Sequence, residues 1–162
     1  MSTLLKFSEN QLVSELWARD VRFILGSPSG LPPAIPPVRL IAALAESHEA
    51  RLQLSLIPFF LRHPELFVHA SAAAKKLNPE PQLILKCFYS AAVWLEIKYL
   101  SKKELPDLFS EELGLTPTTD PDENLRALAK RHQELSGSRV NWLGTYEHAA
   151  DVWLKELELQ KA

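Results

Sequence analysis

One cysteine, five glycines and no long apolar run are what the 162-residue chain offers least of, and each shortage excludes a class of protein. The lone Cys87 cannot close an intramolecular disulfide, and there is no cysteine pair to begin a zinc framework, which together predict a reducing, cytoplasmic setting. The glycines, Gly26, Gly30, Gly114, Gly137 and Gly144, are too scattered to build a P-loop or a dinucleotide-binding turn. The longest uncharged apolar runs, Leu52–Leu61 and Cys87–Leu95, fall far short of the roughly 20 residues that span a bilayer, so no membrane contact is expected. Met1–Asn10 lacks the basic start, apolar block and small-residue cleavage site of an export signal. An excess of one charge is missing too: 18 Lys and Arg face 20 Asp and Glu, and a net charge of −2 gives no global field to collect nucleic acid. His48, His63, His69, His132 and His148 form neither an HExxH pair nor the ExxH pairs of di-iron bundles, so no metal and no cofactor are expected.

What the chain does have is apolar residues, at 46%, and 12 prolines, in a length that suits one globular domain. Five of the prolines fall between Pro28 and Pro37. They predict an extended connector over residues 27–37, separating an N-terminal helix within 1–26 from a helical core over 38–162. The first helix is expected to start at the cap Ser8, carry Leu12, Leu16, Val21 and Phe23, and stop at Gly26. It is either strapped down by the connector or free as an arm.

Beyond Val38 the apolar spacing is helical, with a break just before Pro58 and a further helix over Glu65–Leu77. Asn78 caps a long helix to about Leu100 that is apolar on most sides and therefore central, with Cys87 inert inside it. Leu108 and Phe109 plug the core. Asp120 caps a helix whose Glu123, at the third helical position, makes a capping-box arrangement in all but its first side chain and which ends at Gly137, and a last helix runs from about Asn141. Period-two strand patterns are missing. The expectation is an all-α single-domain bundle of about six helices.

Three arrangements carry functional readings. Trp142, Tyr146, Ala149, Trp153 and Leu157 recur at steps of three and four, a seam that packs on another helix and, with the tethered first helix, suits docking on a protein partner or a second copy of this chain. Trp142, Tyr146 and Trp153 are the candidate partner-binding residues. Arg126 and His132 stand at a spacing compatible with HEPN-type helical ribonucleases, in which Arg stabilises phosphate charge and His shuttles a proton. Six residues of regular helix set them about 120° apart, however, and Ala127 replaces the usual polar residue after the Arg. Ala70–Ile84 can be laid out as a helix-turn-helix in which Gln82 reads a base edge and Lys75, Lys76 and Lys86 contact phosphates.

Arg62–Leu66, Leu105–Leu115 and Gly144–Ala150 resemble segments of small bacterial helical proteins that accompany nucleotidyltransferase-like toxin genes, and the resemblance spans about residues 50 to 155. It implies an antitoxin-like or accessory subunit that caps a nucleotidyltransferase partner. No catalytic or binding residue carries over from it, and the chain lacks the carboxylate-bearing Gly-Ser motif of such transferases. The function expected is therefore that of a non-catalytic accessory or interaction protein, ahead of the ribonuclease and DNA-binding alternatives.

Overall fold

Proline or a capping side chain sets the start of the helices that open at Glu9, Pro37, Ala50, Pro79 and Pro121. The computed structural model describes residues 7–26 and 32–161, and no strand occurs among the described residues. The helices are α1 (Glu9–Ala18), α2 (Pro37–Glu46), α3 (Ala50–Leu54), α4 (Leu56–Arg62), a 3₁₀ segment (Pro64–His69), α5 (Ala70–Lys75), α6 (Pro79–Leu100), α7 (Ser110–Leu113), α8 (Pro121–Ser136) and α9 (Trp142–Lys161). The all-α expectation holds, while the count of about six is too low. Stretches that read as one helix break at Ser47–Glu49, at Ser55 and at the 3₁₀ segment, so Pro58 falls in the first turn of α4, where a missing N–H costs nothing.

In α1 the Ser8 hydroxyl accepts the Gln11 N–H at 3.1 Å and the Gln11 side chain accepts the Ser8 N–H at 2.8 Å, a reciprocal capping box. The helix ends at Ala18, well short of Gly26, because Asp20 turns the chain with φ of 60° and Val21 drops into the core fully buried. Connector residues 27–31 lie outside the described residues. Residues 32–36 are non-helical and are strapped to α1: the Glu15 carboxylate accepts the N–H groups of Ala34 and Ile35 at 3.0 and 2.6 Å, and Arg19 donates to the Ile35 carbonyl. Burial alone would raise the Glu15 pKa, but the Ile35 N–H, Arg19 and the Ala34 N–H outweigh it and hold the carboxyl below its ordinary value. Glu15→Ala leaves two backbone donors without a partner and is expected to cost about 2 kcal/mol, read as a lower urea midpoint with faster proteolytic nicking of the connector. An unchanged midpoint would mean that the strap contributes nothing.

Helix α6 is the central element, buried from Cys87 through Glu96 and packed by α4 and by α8 and α9. Tyr89 meets Phe60 and Phe109 edge to face at 4.9 and 5.5 Å and donates its hydroxyl to the Pro106 carbonyl at 2.7 Å, which seats Leu105 and Phe109. Buried Glu96 accepts the Leu105 N–H at 2.9 Å and fixes the same loop. Two caps differ from expectation. Asn78 precedes α6 with no side-chain bond, and Glu123 does not reach back to Asp120, whose N–H donates instead to the Thr118 hydroxyl at 3.2 Å. Asp120 does cap, accepting the Asp122 N–H at 2.9 Å, and Gly137 closes α8 with φ of 69°. Lys98 on α6 ties three helices together through Asp122 of α8 and Glu147 of α9, at 2.6 and 3.0 Å.

Candidate functional site

The α9 seam is the core of this chain and not a free face. Tyr146 and Ala149 are fully buried and Trp153 is 5% exposed, because α9 lies against α4, α6 and α8. Trp142 is half-buried, and its ring stacks on the His132 imidazole with centroids 3.6 Å apart. Phe88 stands edge-on to His132 and Tyr146. Assignment of Trp142, Tyr146 and Trp153 to partner binding is thereby corrected: regular apolar spacing shows that a face is covered, and here the cover is intramolecular.

The same cluster separates the ribonuclease pair. His132 is 1% exposed, hydrogen-bonded through Nδ1 to the Tyr146 hydroxyl at 2.6 Å, and burial pulls its pKa down to about 4. It is a neutral, sealed imidazole. Arg126 is exposed while His132, six residues on in α8, is sealed in the core, so the imidazole is not open to a substrate held by Arg126 and the Arg126–His132 assignment does not hold. Cys87, also in this region, has its thiol pushed up to about 12 by burial and is unreactive.

The helix-turn-helix assignment fails on Gln82. Its side-chain amide donates to the Ala74 carbonyl at 2.7 Å, tying the end of α5 to α6, so it is not presented to a base edge. Lys86 is paired with Glu112. Lys75 and Lys76 are exposed at the end of α5. Among the described residues no group of three His, Cys, Asp or Glu side chains could hold a metal ion, and no helix is long and apolar enough to cross a membrane.

Among the described residues a groove of about 760 Å³ lies where the N-terminal ends of α1 and α6 meet the length of α2. Ala43 and Ile84 are partly exposed along its floor, above the buried Leu12 and Ala45, and Glu9, Glu46 and Glu80 line it as well. Arg39 stands at one end with its guanidinium 5.2 Å from the centre of the Phe7 ring. Three devices hold the walls: the Ser8 capping box at α1, Pro79 in the first turn of α6, and Gln53, whose amide donates to the Ser47 carbonyl just past α2 at 2.8 Å. Sequence reasoning missed this site. The signal available was the Arg39, Ala43, Glu46 stripe on an otherwise apolar α2, which in sequence is indistinguishable from a solvated helix face.

No family model matches the chain, and no curated protein or solved structure matches it either.

Proposed function

We propose that the protein is a non-catalytic accessory protein that acts in the cytoplasm by holding a protein partner in the α1–α2–α6 groove. The observation that carries this is the groove itself: partly exposed Ala43 and Ile84 along its floor, framed by helix ends that capping and packing hold in place. The arrangement can bind and orient a partner, and the charged residues on its walls suit recognition of that partner. The resemblance of residues 50 to 155 to proteins accompanying nucleotidyltransferase-like toxin genes favours such a transferase as the partner, with this chain as the antitoxin-like member of the pair.

Affinity isolation of the full chain from its native host, run in parallel on wild type and Ala43→Trp, tests the reading. The indole fills the floor of the groove from a half-exposed helix position. A stoichiometric protein recovered with wild type and lost with a variant of unchanged thermal midpoint is the expected result. A partner retained equally by both, or none recovered, would overturn the groove as the docking surface. Co-purifying nucleic acid without protein would count against the whole class.

A further inference from the structure

Arg39, Ala43 and Glu46 follow one another on α2 at the spacing of a single face, so the groove runs about 10 Å along this helix with a cation at one end and a carboxylate at the other. The two ends are not equivalent. At the first, the Arg39 guanidinium rests over the Phe7 ring and is already engaged. At the second, Glu46 is the last residue of α2, and the last turn of that helix holds no basic side chain. A carboxylate at a helix C-terminus adds to the negative end of the macrodipole instead of cancelling it. Glu9 and Glu80 sit in the first turns of α1 and α6, where the positive helix ends partly offset them. Among the described residues none of the three carboxylates forms an ion pair, and Arg39 and His48 are the other ionisable side chains that line the groove. A chain whose net charge is only −2 thus gathers around this groove three carboxylates that have no ion-pair partner among the described residues.

We infer that the occupant of the groove is a short basic and apolar segment of a partner protein, which lays an apolar side chain over Ala43 and Ile84 and sets a lysine or arginine against Glu46 and Glu80. This rests on the docking reading and specifies its chemistry. Phosphate-bearing polymers are disfavoured by the same carboxylates, and an acidic peptide would leave Glu46 facing like charge.

The test begins with a random-peptide display library panned on the full chain. Recovered peptides are then measured by fluorescence polarisation on wild type, Ala43→Trp, the double variant Glu46→Gln with Glu80→Gln, and a chain lacking residues 1–6. Recovered peptides are expected to combine lysine or arginine with a large apolar residue, to lose binding on Ala43→Trp, to weaken roughly tenfold on the double variant, and to weaken as salt rises. Ala43→Leu replaces Ala43→Trp if the latter lowers the thermal midpoint. Peptides that need Ala43 but are acidic or uncharged, or that ignore the double variant, would overturn this inference and leave the docking reading standing. Peptides indifferent to both Ala43 variants would overturn the two together. Binding seen only with the chain lacking residues 1–6 would assign the groove to the protein's own N-terminal segment and overturn the inference of a partner.

Discussion

Tyr146→Ala is expected to lower the free energy of unfolding by about 3–5 kcal/mol, and Trp153→Ala by a similar amount, read as shifts of the urea midpoint at constant m. Both side chains are buried, and the Tyr146 ring is met by Phe88 edge to face at 6.1 Å, so truncation removes aromatic contact and leaves a cavity that neighbouring helices cannot close. Tyr146→Phe separates the two contributions of this residue. It keeps the ring and deletes only the hydroxyl 2.6 Å from His132 Nδ1, which leaves a buried imidazole nitrogen without that partner at a cost of about 1–3 kcal/mol. A docking seam would behave in the opposite way: the variants would fold with the wild-type midpoint and fail only in partner capture. A wild-type midpoint for Tyr146→Ala would therefore move α9 out of the core.

That contrast shows what periodicity can and cannot convey. Steps of three and four along α9 state that one face is covered, and the hydrophobic effect behind the pattern is non-directional, so the same residues serve a bundle interior or an interface. What decided the matter was how α4, α6 and α8 surround the seam, which no window of the sequence contains. Local chemistry was legible wherever it was self-contained: the Ser8 cap, the Asp120 cap, Gly137 at the end of α8, and the all-round apolar character that makes α6 central. It misled where a distant partner intervened. Val21 and Phe23 continue the apolar spacing of α1, yet the helix stops at Ala18. Beyond that point Arg19 donates to the Ile35 carbonyl and its own carbonyl is hydrogen-bonded to His63 Nε2 at 2.6 Å, contacts 16 and 44 residues away in sequence. The groove was illegible for a related reason. Its carboxylates come from positions 9, 46 and 80, each unremarkable on its own helix, and a near-zero net charge conceals their convergence.

The protein is expected to lose stability as pH falls from about 6.5 toward 4, with His132 as the main cause. In the unfolded chain its imidazole protonates near 6.5, whereas burial in the Phe88, Trp142 and Tyr146 cluster holds the folded value at about 4. Above pH 6.5 both states are neutral and the contribution of His132 is fully present. Between the two values the unfolded chain takes up a proton that the folded one refuses, so the balance moves toward unfolding by an amount on the order of 3 kcal/mol at pH 4. Two carboxyls act in the same acid range with opposite signs. Burial holds Glu96 above its ordinary value despite the N–H groups of Leu105 and Glu104, so Glu96 favours the folded state at low pH and this contribution is lost as pH rises through its folded value. Glu15, held below its ordinary value, contributes stability that is lost only as pH falls below about 4.5. Urea midpoints measured from pH 7 to 4.5 in a Glu96→Gln background isolate the histidine. There the midpoint should fall steadily with pH, and adding His132→Gln should flatten that slope while lowering the midpoint at pH 7. An unaltered slope in the His132→Gln chain would show that the imidazole is not sealed in the core, and the proton-shuttle role rejected on its burial would have to be considered again.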